Sequence, residues 1–172
     1  MIVGCDPGLD GALAFLDPDL SVHFQDTPTL NVKRGAGNGR EYDIHAIREC
    51  LRDYGQIEHV YIERQQAMPA DLHGRKQGTA SSFRAGFGFG IWLGLFVGMG
   101  LPYTLIAPVS WKKAMLADLP KGKGSSIIRA KQLYPHTAEQ LKRVKDHGRA
   151  EALLIATFGA RKAGVIPALN TY

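Results

Sequence analysis

Three short apolar runs, each cut off by a turn, precede any helical periodicity in this chain. Met1 to Cys5 stops at Asp6-Pro7-Gly8, Gly11 to Leu16 stops at Asp17-Pro18, and Ser21 to Thr27 runs into a glycine-rich stretch. Strands joined by connections this short pair antiparallel, because a parallel pair needs a crossover of roughly a dozen residues. Helix-length segments come only afterwards. Ile44, Ile47, Cys50, Leu51 and Tyr54 recur at helical spacing behind Asp43, a capping residue type, with Gly55 as a stop. Ile57 to Glu63 reads as the next strand. A glycine-rich helix opened by Thr79, Ser81 or Ser82 follows, then a strand at Tyr103 to Ile106 that Pro108 ends. Helices at Val109 to Leu116, Ser125 to Leu133 and His147 to Lys162 complete the order. This order predicts an α/β domain with a mixed five-stranded sheet, three antiparallel strands and then parallel strands, flanked by helices. Thr29 to Glu41, polar and holding Gly35, Gly37 and Gly39, is expected to be a mobile loop.

Length and charge narrow the function classes. At 172 residues the chain has room for one domain, 1–172, which excludes two-lobed enzymes that close over a nucleotide. Cys5 and Cys50 give neither a disulfide framework nor a zinc spacing, consistent with a reducing compartment. No basic leader precedes the first strand, so a cytosolic or mature protein is expected. The net charge of +5 is a modest excess, but its distribution is uneven. Lys33, Arg34 and Arg40 share one stretch, Arg64, Arg75 and Lys76 a second, and Lys112, Lys113, Lys121 and Lys123 a third. Basic clusters in loops and at helix ends fit a polyanionic partner. Phe83 to Leu101 has the length of a membrane span but is broken by glycines, with Gly86, Gly90, Gly94 and Gly98 at small-xxx-small spacing. A single such segment in an ordinary composition is read as a core helix whose glycine face admits a close neighbour, with no membrane involved.

Four acids stand where chemistry is expected. Asp6 ends the first strand and Glu63 ends the strand Val60-Tyr61-Ile62, and ligands of open α/β sheets gather at carboxyl ends of strands. Taken singly, Asp6 reads as a turn acceptor and Glu63 as a partner of Arg64. Asp146 precedes the last helix, at its N-cap, and Glu151 lies on that helix one turn after His147. The plain alternative is Asp146 as cap and Glu151 as surface residue, but Ala150, Ala152 and Leu153 place Glu151 in an apolar neighbourhood that demands a partner. Carboxylates on two strand ends and a helix start suit a pair of divalent ions astride a phosphodiester. Such hard oxygen ligands favour Mg²⁺, with Mn²⁺ as substitute.

Ile2-Val3-Gly4-Cys5-Asp6-Pro7-Gly8 with Gly11-Ala12-Leu13-Ala14, Tyr61-Ile62-Glu63, and Lys145-Asp146-His147-Gly148-Arg149-Ala150-Glu151-Ala152 resemble the acidic motifs of RuvC-type Holliday junction resolvases. Gly86-Phe87-Gly88-Phe89-Gly90-Ile91-Trp92 and Ser110-Trp111-Lys112 are similar to the chloroplast branch and its bacterial and phage relatives. The match runs in order along nearly the whole chain. It implies a single RNase H-like resolvase domain, a homodimer, and paired metal-dependent nicks in a four-way DNA junction rather than a small-molecule substrate. It also implies Asp6, Glu63, Asp146 and Glu151 as catalytic metal ligands for two Mg²⁺ per site. The late acids lie three apart in bacterial RuvC but five apart here, with Gly148 between them, which leaves open whether His147 shares the role of Asp146. Localisation follows the source: cytoplasmic and nucleoid-associated, or a mature organellar form.

DNA contacts follow from charge and position. Lys112, Lys113, Lys121 and Lys123 are expected to neutralise phosphates, and Lys121 or Lys123 to stabilise charge at the scissile one. Arg64, Gln65, Arg75, Lys76, Gln77, Ser81 and Arg84 flank the start of the glycine helix, where amides can hold a phosphate and polar side chains can reach base edges. Phe83 reads either as a wedge between bases or as a core residue. The glycine face and aromatics of Phe83 to Phe96 are the candidate dimer interface. The rivals are an actin-like ATPase, for which the chain is too short, another RNase H-like nuclease acting on RNA or hybrids, and a junction binder without catalysis.

Overall fold

The computed structural model of the chain describes residues 1–35, 37–66 and 78–166. Strands β1 (Ile2–Asp6), β2 (Ala12–Leu16) and β3 (Val22–Asp26) form the antiparallel meander, with Gly4 opposite Ala14 and Ala14 opposite Phe24. A hairpin, β4 (Thr29–Arg34) and β5 (Gly37–Tyr42), and helix α1 (Ile44–Asp53) lead to β6 (His59–Glu63), which pairs parallel to β1. Helix α2 (Thr79–Gly98) crosses to β7 (Tyr103–Ile106), parallel to β6. Helices α3 (Pro108–Leu116), α4 (Lys123–Leu133) and α5 (His147–Lys162) follow, with 3₁₀ turns at Pro135–Leu141 and Val144–Asp146. The main sheet has the order β3-β2-β1-β6-β7, and its mix of antiparallel and parallel strands is the one that the element order predicts.

Strand alternation sends side chains into two cores. Ile2, Ala12, Ala14, Leu16, Tyr61 and Ile106 face α5, whose Ala152, Leu153 and Ala156 are buried on that side. Val3, Cys5, Leu13, Phe15, Val60 and Ile62 face the opposite layer, with Ile47 and Leu51 of α1 and Trp92 and Phe96 of α2. A strand packed on both faces must be apolar throughout, which is why β1 reads as a continuous hydrophobic run. Asp43 caps α1, accepting from the Ala46 amide at 3.0 Å.

Two expectations change. Thr29 to Glu41 is not a loop but a two-stranded hairpin, with Asn31 opposite Arg40 and Lys33 opposite Asn38. Its polar composition reflects exposure on both faces rather than lack of order. In α2 the packed stripe is Gly88, Trp92 and Phe96, whereas Gly86, Gly90, Gly94 and Gly98 are exposed, and among the described residues a Cβ added at any of these four meets nothing within 4 Å. The regularly spaced glycines therefore do not face the core. Gly78, not a hydroxyl side chain, precedes the helix as its cap. Among the described residues α2 is the one helix long and apolar enough to cross a membrane.

Candidate active site

The parallel register of β1 and β6 sets the site. Cys5 lies opposite Ile62, so the next residues, Asp6 and Glu63, leave the sheet side by side at its carboxyl edge. Helix α5 crosses this part of the sheet and adds Glu151, its fifth residue. The three acids interact: burial first, then the charges of Glu151 and Glu63, push the Asp6 carboxyl up to about 7. Burial also raises Glu63, opposed by the Lys112 ammonium and by a hydrogen bond from Trp111.

Helix α3 supplies the counterweights. Trp111 is fully buried, and its Nε1–H donates to Glu63 Oε2 at 2.7 Å. Lys112 Nζ lies 3.7 Å from Glu151 Oε2 and 5.1 Å from the Trp111 ring centroid. From α4, Ser126 donates to Glu151 Oε1 at 3.2 Å. One lysine against three carboxylates leaves negative charge in a partly desolvated setting, a condition that a divalent cation relieves.

The donor set fits such an ion in kind, since all three acids offer hard carboxylate oxygens. Among the described residues, however, no group of three His, Cys, Asp or Glu side chains already stands close enough together to hold one. Glu63 and Glu151 are instead turned toward Trp111, Ser126 and Lys112. Rotation of these half-buried carboxylates is a small adjustment compared with moving the strands and helix that carry them.

Asp146 is held elsewhere. It occupies the N-cap position of α5 but makes no cap hydrogen bond with its side chain. Its carboxylate accepts from Arg143 instead, at 2.7 Å from Nη2, 3.0 Å from Nε and 2.8 Å from the backbone N–H. The Arg143 guanidinium keeps Asp146 below the usual carboxylate range. Asp146 lines a cleft with Asp10 and Asp26, while His147 borders both this cleft and the cavity of Glu151, Lys112 and Lys121. The structure thus brings together Asp6, Glu63 and Glu151, and leaves Asp146 in an arginine clamp beside them.

The expected DNA contacts divide similarly. Gln65, Ser81 and Arg84 gather around the Pro7–Gly8–Leu9 turn that follows Asp6. Phe83 is 74 % exposed, not core, and stacks on Phe87 with ring centroids 6.2 Å apart beside Leu9, Arg40 and Arg84. Arg64 is exposed just beyond Glu63, and Lys113 is exposed on α3 outside the Glu151 cavity. Arg75, Lys76 and Gln77 lie outside the described residues, as does the side chain of Lys123. Sequence reading missed Trp111, Ser126 and Arg143 as partners of the acids. Only Trp111 carried a signal, because a buried indole N–H needs an acceptor.

No family model matches the chain. It is 34% identical over 98 residues to the chloroplastic Holliday junction resolvase MOC1 of Chlamydomonas reinhardtii, across 57% of this chain. That match covers 10% of the relative, so the chain spans about a tenth of its length. Among solved structures it is similar to Thermus thermophilus RuvC in complex with a Holliday junction substrate, with a TM-score of 0.54 and 18% identity over 94% of this chain and 95% of that one. A second Thermus thermophilus RuvC structure gives 0.52 and 18% over 94% of each chain. Sheet order, the acids at the strand ends and these likenesses lead to one conclusion: the chain has the RNase H-like fold of RuvC.

Proposed function

We propose that the chain is a structure-selective endonuclease that resolves four-way DNA junctions by paired symmetric nicks, working as a homodimer with two Mg²⁺ ions per active site. The observation that carries the reading is the meeting of Asp6, Glu63 and Glu151 at the carboxyl edge of a RuvC-type sheet, where burial first and then the charges of Glu151 and Glu63 raise Asp6. Asp6, Glu63 and Glu151 would hold the ions, and Asp146 or His147 would join only after release of Asp146 from Arg143. Bound there, the ions supply an activated water and charge stabilisation at the scissile phosphate. The chain's own residues do the rest. Trp111 fixes one oxygen of Glu63, Ser126 orients Glu151, and Lys112 and Lys121 place positive charge over the same cavity. Phe83, Gln65, Ser81 and Arg84 border the turn beyond Asp6, where unstacked bases near the cut would meet them.

The test is incubation of the protein with a synthetic four-way junction and with linear duplex in Mg²⁺. Symmetric nicks in the junction alone are the expected product. Equal cutting of duplex or of an RNA–DNA hybrid would replace this reading with that of a general RNase H-like nuclease. The dimer is tested alongside by Gly94→Leu. Among the described residues nothing lies within 4 Å of a Cβ placed on Gly94, so the fold is expected to be kept. If the open face of α2 joins two copies, sedimentation shows a monomer and paired nicking becomes single nicking. A dimer that survives Gly94→Leu assigns the interface to another surface.

Trp111→Phe keeps most of the aromatic volume and removes the donor to Glu63. Loss of a hydrogen bond that lowers the Glu63 pKa raises it further, so the acidic limb of the cleavage pH profile should move to higher pH. A rate loss of about 10-fold, measured well below a somewhat lowered melting temperature, is expected, in the range for groups behind the ligands. An unmoved pH limb would make Trp111 a packing residue only.

A further inference from the structure

The β4–β5 hairpin is a two-stranded sheet separate from the main one. Such a ribbon is marginally stable by itself, and most of its described residues are exposed, so its presence asks for a reason. The register supplies one. Asn31 pairs with Arg40 and Lys33 with Asn38, and alternate residues of a strand share a face. One face therefore carries Asn31, Lys33, Asn38 and Arg40: two cations, two carboxamides and no acid. Glu41 belongs to the opposite face, with Leu30 and Val32.

The donor face is aimed. Thr29 and Tyr42 continue it at the hairpin base, where Tyr42 is buried and donates its hydroxyl to the Pro7 carbonyl at 3.0 Å. Arg40 donates to the Leu9 carbonyl at 3.5 Å and pairs with Asp10. These contacts tie the face to the Pro7–Asp10 turn, which starts one residue after Asp6. The two rungs stand about 6.8 Å apart, two residues at roughly 3.4 Å each. Along a nucleic acid strand that distance spans about two nucleotides of axial rise.

We propose that this face of the hairpin binds the phosphate backbone of the nucleic acid strand entering the active site, with Lys33 and Arg40 on phosphates and Asn31 and Asn38 donating between them. The inference rests on the nuclease reading given above for the same site. It adds a contact surface outside the acids, the α2 start and the α3–α4 lysines.

The test is Lys33→Gln, with Lys33→Arg as the conservative control, in equilibrium binding at several salt concentrations. The probes are a four-way junction, a linear duplex and an RNA hairpin. Lys33 is exposed, so both variants are expected to fold. Lys33→Gln should weaken junction binding about 5- to 10-fold at moderate salt and lower the slope of log Kd against log salt by about one. Lys33→Arg should restore both. Equal affinity and slope for Lys33→Gln overturns the hairpin inference while leaving the nuclease reading intact. Wild-type preference for duplex or RNA over the junction overturns junction selectivity, and the same slope difference then decides the hairpin on that probe. Wild-type binding to none of the three overturns both.

Discussion

Asp6→Asn is expected to abolish the proposed junction cleavage, by roughly a thousandfold or more, and at the same time to make the metal-free protein more stable at pH 8. The first effect follows from removing a proposed ligand, which exceeds the 10- to 100-fold typical of groups behind ligands. The second follows from the raised Asp6. A folded-state pKa of about 7 against 3.8 means that the folded protein binds this proton more tightly than the unfolded chain does. Stability from this group is therefore complete below about pH 4, declines as pH rises towards 7, and is flat above that. Each pKa unit is worth about 1.4 kcal/mol, so the ceiling is roughly 4 kcal/mol, and water reaching the half-buried carboxylate reduces it to about 1–2 kcal/mol. The asparagine lacks this penalty. Its advantage over wild type should be small at pH 4, grow to pH 7, and then hold constant in thermal melts without metal. Added Mg²⁺ should raise the wild-type melting temperature and leave that of Asp6→Asn nearly unchanged, since a ligand stabilises only the state that binds it. A variant as active as wild type, or one less stable at pH 8, would remove Asp6 from the site.

The acids illustrate what a sequence discloses. Asp6 and Glu63 were legible because strand ends are marked by local patterns, and parallel neighbours deliver their last residues to one edge. Glu151 was legible through its apolar neighbours on α5. The Arg143 clamp on Asp146 was not, because Arg143 reads as one more surface cation, and only the 3₁₀ turn at Val144–Asp146 folds it back onto the carboxylate. The hairpin was hidden for a related reason. With both faces exposed it has no alternation of apolar and polar residues, and its three glycines read as loop signals. The glycines of α2 misled in the other direction: regular spacing locates a smooth face, but the protomer packs the helix through Gly88, Trp92 and Phe96 instead. Periodicity reports which residues share a face, and not what lies against it.

The second large effect is predicted at Gly4, which bears no functional group. Helix α5 crosses β1 so closely that a Cβ on Gly4 would stand 1.9 Å from the Ala152 carbonyl oxygen and 2.7 Å from the Ala156 amide nitrogen. Both are backbone atoms of a buried helix, so no side-chain rotation can make room, and the helix itself must lift. Overpacking of this kind costs about 3 kcal/mol or more. For a chain of this size that corresponds to a fall of roughly 10 °C in melting temperature. Activity should fall further than stability accounts for. Gly4 is two residues before Asp6, and Ala152 is the residue after Glu151, so the contact at Gly4 is what fixes the spacing between these two acids. Lifting α5 by even a fraction of an ångström moves Glu151 away from Asp6, and their mutual repulsion weakens. In Gly4→Ala, cleavage measured well below the melting temperature should therefore drop at least about 10-fold, and the Mg²⁺ concentration for half-maximal rate should rise. Retention of wild-type cleavage at low temperature, with only the melting temperature lowered, would show that Glu151 is positioned independently of the β1–α5 contact.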